Sequence, residues 1–285
     1  MAMLVKGYVH YNVWHFAALG IPWKHSGTLL CNIVEFVGRI TKLLHGHLLE
    51  SLSLRFRSPQ SLPDRAVKIP PPHTRTLLPA LTDLRFEGAP EYMAHLVAQI
   101  DAPLLESMGV TLLNREILEV SELAKFVCRV DKPSLLDRAQ VTFYSERISV
   151  LLSQDSQWHV DPKTLMFNLT CHKLALRLSY LVQFCASCLP TLSPFESLKI
   201  CVSRYYRWKD IIDNPDPQWL ELLCLFNSMK ELYLSRDVAP CVTQVLRGLP
   251  AERVVEVLPA LEKVFIAWLR PLGPVREAIS EFADA

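Results

Sequence analysis

The chain has 285 residues, enough for one elongated domain or two compact ones, and half of them are apolar, so it can bury a substantial core. Its 30 basic and 29 acidic residues give a formal net charge of +1, which argues against a nucleic-acid binder that depends on neutralising phosphates. Polar residues interrupt every apolar run before it reaches membrane-spanning length, and no apolar signal segment opens the chain, so neither a membrane span nor a secretory signal is expected.

The N-terminal segment, residues 1–47, does not follow the pattern of the rest of the chain and is interpreted as an atypical cap or a remnant repeat. Residues 8–14 are predicted to form a strand and residues 26–44 an amphipathic helix. Histidines next to tryptophans crowd this segment, but no cysteine or carboxylate lies at metal-ligand spacing. Surface histidines are therefore favoured over a metal site.

One stretch recurs through the rest of the chain, and its clearest copies are LPALTDLRF at residues 78–86 and LPALEKVFI at residues 258–266. Both copies place apolar residues at the first, fourth, seventh and ninth positions. The last two of these are separated by one residue, which predicts a strand with one buried face. The full and partial copies recur about every 30 residues, a period typical of repeat proteins, and end at Leu54, Phe86, Val110, Phe143, Leu169, Ile200, Leu234 and Ile266.

Helix-like runs alternate with these strands. They span residues 90–100, 121–130, 175–189, 216–229, 238–249 and 274–282. The alternation predicts an α/β fold, an irregular leucine-rich-repeat-like solenoid over residues 48–285 with strands on a concave face and helices on the other. A doubly wound sheet is less favoured, because the chain has nine glycines and no Gly-x-Gly-x-x-Gly.

Three segments interrupt the pattern. Residues 57–77 are a proline-rich loop, expected to be extended and solvated. Residues 131–163 are predicted to contain a hairpin that turns near residues 145–147. Residues 204–217 are a polar insertion with aromatic residues beside basic ones, and a cover for the edge of the solenoid is favoured over a stacking surface for a ligand or base.

The eight cysteines lie mostly in apolar runs and are interpreted as small core residues in a reducing compartment, so a cytoplasmic or nuclear location is expected. Cys185 and Cys188 form a CxxC pair near a predicted helix end, whereas a redox pair is typical of a helix start and a zinc site needs a second pair. No P-loop, nucleophile elbow or zinc-protease motif occurs. The sequence therefore predicts no catalytic, metal-binding or cofactor-binding residue, and no enzyme.

From about residue 48 onward, the chain resembles the leucine-rich-repeat region of F-box-type proteins expanded in mushroom-forming fungi. The similar pieces are LESLSLRF at residues 49–56, LPALTDLRF at 78–86, AQIDAPLL at 98–105, QWLELL at 218–223 and VLPAL at 257–261. The resemblance implies a substrate-capturing solenoid tethered to a ubiquitin-ligase core through an N-terminal F-box. Residues 1–47 contain no recognisable F-box.

The strand positions between the buried ones are expected to face outward and to line the binding surface: Ser53, Arg55, Arg85, Glu87, Thr111, Thr142, Tyr144, Lys199, Tyr233 and Phe265. Their mixture of polar, charged and aromatic side chains suits a protein partner, although plain solvation is an equal alternative. The candidate partner-binding residues are Arg55, Arg85, Glu87, Tyr144, Lys199 and Tyr233.

The function predicted from these residues is a non-enzymatic protein-interaction scaffold that binds neither nucleic acid nor membrane. Three alternatives remain open: the substrate-recognition subunit of an SCF-type ubiquitin ligase, a truncated product without independent function, and a cysteine-dependent enzyme. The sequence leaves the oligomeric state and the identity of the partner undetermined.

Overall fold

A computed structural model describes residues 8–12, 49–55, 75–113, 120–130, 136–154, 164–171, 177–188, 195–203, 217–250 and 257–267. The chain divides into two compact units, Met1–Pro133 with Pro162–Phe167, and Ser134–Asp161 with Asn168–Ala285. Four predictions fall outside the described residues: the helix at 26–44, most of the loop at 57–77, the insertion at 204–217 apart from its last residue, and the helix at 274–282.

The first unit contains the strands β1 (Tyr8–Asn12), β2 (Ser51–Arg55), β3 (Thr76–Leu77), β4 (Asp83–Gly88), β5 (Ile100–Asp101) and β6 (Ser107–Leu113), and the helices α1 (Pro90–Gln99) and α2 (Ser121–Arg129). β1, β2, β4 and β6 pair in that order, and every pair is parallel. β3 and β5 form a separate two-stranded parallel sheet.

The two helices of the first unit are held by both packing and polar contacts. α1 begins with Pro90, whose fixed backbone angle suits a first helical turn, and buries Tyr92, Met93, Leu96 and Val97. Arg129, in the last turn of α2, donates to the Val97 carbonyl at 2.9 Å and to Oδ1 of Asp101 at 2.8 Å. These bonds tie the end of α2 to α1 and to β5.

The second unit contains the strands β7 (Arg138–Phe143), β8 (Arg147–Ser153), β10 (Ser197–Val202), β11 (Glu231–Ser235) and β12 (Lys263–Ala267), and the helices α3 (Arg177–Cys188), α4 (Gln218–Cys224) and α5 (Ala239–Arg247). Strand β9 (Thr164–Thr170) contributes Thr164–Phe167 to the first unit and Asn168–Thr170 to the second. The strands of the second unit are ordered β9-β8-β7-β10-β11-β12.

The predicted leucine-rich-repeat-like solenoid is wrong. The fold is α/β with a large, mostly parallel, open sheet. A solenoid stacks each strand on the one before it, all in the same direction. Here β7 and β8 are antiparallel, and β10 pairs with β7 instead of with β9. The hairpin predicted within residues 131–163 is confirmed, and it is this hairpin that reverses the strand order.

The first half of the recurring stretch forms a turn. The Leu81 amide donates to the Leu78 carbonyl at 3.2 Å, and the Leu261 amide donates to the Leu258 carbonyl at the same distance. A turn closed in this way brings the side chains three residues apart to one side, where they can be buried together. Leu78 and Leu81 are both fully buried.

The second half of the stretch is a strand whose start is fixed by a pair of backbone hydrogen bonds. The amides of Glu262 and Lys263 both donate to the Lys230 carbonyl, at 2.8 and 2.9 Å. One strand earlier, the amides of Lys230 and Glu231 donate in the same way to the Glu196 carbonyl. The shared acceptor sets where each strand begins beside its neighbour, and therefore which residues pair.

The five predicted helices that fall on described residues are confirmed in position, with one difference in detail. The run predicted at residues 216–229 is helical only over Gln218–Cys224, because successive turns replace the helix before the buried Met229. The residue that caps the start of α2 is Val120, which makes no side-chain cap hydrogen bond. In the part of the chain that the structure describes, no helix is both long enough and apolar enough to cross a membrane.

Candidate functional site

Three of the predicted partner-binding residues lie together on the sheet of the first unit. Arg55 on β2 pairs with Glu87 on β4, with 2.7 Å between Nε and Oε2. Arg85, also on β4, lies 3.3 Å from the Asp83 carboxylate. Both arginines are therefore paired with acids of the same surface, which leaves little net charge there to attract a phosphate.

The stem of Arg85 lies beside the neighbouring strand, next to Gly109 on β6. A Cβ at Gly109 on β6 would lie 3.9 Å from Cγ of Arg85 and 3.9 Å from Cε of Met166. These are ordinary packing distances, so alanine would also fit at position 109, and the Arg85 side chain remains 71% exposed.

Two other predicted residues meet on the sheet of the second unit. Lys199 on β10 pairs with Tyr233 on β11, which pairs with Phe265 on β12. The Tyr233 and Phe265 rings are stacked, with 4.5 Å between centroids and 11° between planes. Phe265 is 40% exposed, although it is a large apolar residue. Lys199, Tyr233 and Phe265 are termed the aromatic patch.

Glu231 organises the polar side of the aromatic patch. Its carboxylate accepts hydrogen bonds from Oη of Tyr233 at 2.9 Å, from Nζ of Lys263 at 3.2 Å and from Oγ of Ser197 at 3.4 Å. These donors, the Tyr233 hydroxyl first, lower the pKa of Glu231. Desolvation, followed by the bond to Glu231, raises the pKa of Tyr233. Tyr233 therefore stays protonated near neutral pH and its hydroxyl is fixed in direction.

Tyr144, the sixth predicted residue, does not belong to the aromatic patch. It follows β7 at the hairpin turn, where the guanidinium of Arg147 lies 4.5 Å from the centre of its ring. Thr142, which was expected to face outward, is buried. Its hydroxyl contacts Sγ of Cys201 at 3.2 Å and accepts from Nε2 of Gln140 at 3.1 Å. The expectation failed because the C-terminal half of β7 is covered on both faces.

The CxxC pair lies in the interior of the second unit, where a thiol is poorly placed to react. Cys185 and Cys188 lie in the last turn of α3, and both are buried. Burial, with a smaller contribution from Cys188, raises the pKa of Cys185 far above that of an ordinary thiol. Within the described residues, no group of three or more His, Cys, Asp or Glu side chains is arranged to hold a metal ion.

Sequence reasoning missed the acidic and basic neighbours of the predicted residues: Glu231, Lys263 and Asp83. Each lies two positions before a residue that was predicted to face outward: Glu231 before Tyr233, Lys263 before Phe265, and Asp83 before Arg85. Because residues two apart on a strand share a face, the alternation of the strand could have predicted that these three side chains also lie on the outward face. The ion pairs between neighbouring strands could not be found in this way, since they depend on register.

Comparisons of the chain with protein-family models, with curated proteins and with solved structures found no match. They therefore do not test the resemblance to F-box-type leucine-rich-repeat proteins, which stays a prediction from the sequence.

Proposed function

We propose that this chain is a non-enzymatic interaction module that binds a protein partner through the aromatic patch of its second unit. The observation that carries the proposal is the stacked and exposed pair of Tyr233 and Phe265. Aromatic side chains are enriched at protein interfaces, and they contribute most where they lie at the centre of the contact.

The surroundings of the pair also suit a protein surface. Lys199 on β10 lies beside Tyr233. Two positions earlier on their strands, Glu231 of β11 and Lys263 of β12 form an ion pair at the surface. A rim that carries both signs of charge favours a partner with both signs of charge over a polyanion. The bond from Tyr233 to Glu231 holds the ring in place before binding, which reduces the conformational entropy lost on association.

The proposal includes a cytoplasmic or nuclear location for the chain. The supporting observation is that Cys171, Cys185, Cys188 and Cys241 are buried in the interior, where they pack as small apolar residues. Proteins of reducing compartments use cysteine in this way.

The test is affinity capture with the full chain from cells of its native source, followed by a binding measurement with the purified partner. Tyr233→Ala and Phe265→Ala are each expected to weaken binding about tenfold or more, as interface aromatics do. Leu104→Ala is the matched control, because Leu104 is 50% exposed and belongs to the first unit. Circular dichroism establishes that each variant is folded before its affinity is compared.

Two results would refute the assignment. Unchanged affinity in both aromatic variants would remove the patch from the interface. Loss of binding only in the double variant Arg55→Ala and Arg85→Ala would place the interface on the first unit instead.

A further inference from the structure

Strand β12 ends the described strand order of the second unit and pairs there with β11 alone. The apolar residues of β12 are more exposed to solvent than the apolar residues of β11, with which they pair. Leu232 and Leu234 on β11 are 1% and 2% exposed, whereas their partners Val264 and Ile266 on β12 are only partly buried. A strand edge with exposed apolar residues is a template for pairing with another strand.

The hydrogen bonds of β12 show which backbone groups face that edge. The Lys263 amide donates to the Lys230 carbonyl at 2.9 Å, so the backbone groups of Lys263 point toward β11. Direction alternates along a strand, and the backbone groups of Phe265 therefore also point toward β11. Those of Val264 and Ile266 point to the outer edge, where no other strand of the described residues pairs with them.

We propose that β12 pairs with β12 of a second copy of this chain, antiparallel, with Phe265 at the two-fold axis. In this register Val264 lies opposite Ile266 of the second copy, and Ile266 lies opposite its Val264. These are the residues whose backbone groups face outward, so each pair exchanges two N–H···O hydrogen bonds. Phe265 then meets its own counterpart in a non-hydrogen-bonded pair, where side chains approach most closely.

The composition of β12 suits its own inverted copy. Lys263 lies opposite Ala267, so the register places no two like charges together. Val264 and Ile266 pair on one face and the two Phe265 rings on the other, which extends each stack with Tyr233. This complementarity favours a second copy, related by two-fold symmetry, over an unrelated strand. The shared strand has five residues, so the interface is small and the dimer is expected to dissociate on dilution.

Disulfide trapping tests the register. In the full chain with Cys128→Ser and Cys224→Ser, which remove two exposed thiols, Phe265→Cys places two thiols directly opposite each other, about 4.5 Å apart between Cβ atoms and close to disulfide range. Lys263→Cys is the matched control, since its two thiols would be about 13 Å apart, four residues along the strand. Mild oxidation is expected to give a covalent dimer with the first variant and not with the second.

Sedimentation equilibrium tests the association itself. Val264→Pro removes an N–H that faces the outer edge and leaves the bonds to β11 intact, a placement in which edge strands tolerate proline. It is expected to lower the association constant at least tenfold, whereas Val264→Ala, which keeps the N–H, lowers it less. A parent chain that stays monomeric at the highest concentration reached refutes the proposal. Equal cross-linking of both cysteine variants, or cross-linking of Lys263→Cys alone, refutes it as well.

Discussion

The hydroxyl of Tyr233 donates to Oε2 of Glu231 across 2.9 Å, between residues that share one face of β11. The bond couples the ionisation of the two side chains, because the carboxylate stabilises the protonated phenol and the phenol stabilises the carboxylate. The same bond positions the Tyr233 ring against Phe265. The proposed binding surface therefore depends on a polar contact at its rim as well as on its two rings.

Replacing Glu231 with glutamine is expected to lower the pKa of Tyr233. Glu231 raises that pKa through its hydrogen bond and its charge, and the variant leaves desolvation as the main remaining cause. An ultraviolet-detected tyrosinate titration measures the change, with Tyr233→Phe identifying which of the eight tyrosines is responsible. An unchanged titration in Glu231→Gln would show that the bond does not form in solution.

The contribution of Glu231 to stability is expected to depend on pH. Its pKa is lowered in the folded state, so its bonds stabilise the fold above the ordinary glutamate range and are lost as pH falls through the lowered pKa. The free energy of unfolding of the parent should therefore exceed that of Glu231→Gln at neutral pH and converge with it in acid. Urea denaturation over a pH series gives both values, and a constant difference would contradict the prediction.

The features of this fold that depend on near neighbours in the chain could be predicted from the sequence. The pairing of strands that are distant in the chain could not. All eight final apolar residues of the recurring stretch lie on strands, since the turn and the strand alternation involve only near neighbours. The place of the hairpin was also predicted. Its effect on strand order depends on the pairing of β7 with β10, as at Ala139 and Leu198, which no local pattern specifies. The contact from Arg55 to Glu87 depends on register in the same way.

The ion pair between Arg55 and Glu87 is expected to add little to stability despite its 2.7 Å separation. The Arg55 side chain is 46% exposed and that of Glu87 32%, so water and salt screen the attraction. A double-mutant cycle with Arg55→Ala and Glu87→Ala should give a coupling of about 0.2–1 kcal/mol that falls as salt is added. A coupling above about 2 kcal/mol, insensitive to salt, would mean that the pair is desolvated.

The cysteines are expected to react with an alkylating reagent in the order of their exposure. Cys128 is exposed, whereas Cys185 and Cys188 are buried and burial raises the pKa of Cys185. Mass spectrometry of the folded chain after brief alkylation should find Cys128 modified and the CxxC pair unmodified, with the pair reacting only after denaturation. Rapid modification of Cys185 in the folded chain would instead support the alternative of a cysteine-dependent enzyme.

Arg177 is expected to be essential for the stability of the second unit. It is 3% exposed and donates to the carbonyls of Tyr144 at 2.8 Å, Cys171 at 3.1 Å and Ser145, so it joins the start of α3 to the hairpin turn and to the residue after β9. Arg177→Met keeps most of the apolar stem but removes these donors, and is expected to lower the free energy of unfolding by about 3 kcal/mol or more.

Two further variants separate this role from a general effect of losing an arginine. Arg177→Lys should recover part of the loss, because one ammonium cannot reproduce the geometry of a guanidinium. Arg236→Met removes an exposed arginine of the same unit and should change stability by no more than about 0.5 kcal/mol. Chemical denaturation of the three variants supplies the comparison. If Arg177→Met were no more destabilising than Arg236→Met, the hairpin turn would not depend on these bonds, and α3 would have to be held by its apolar residues alone.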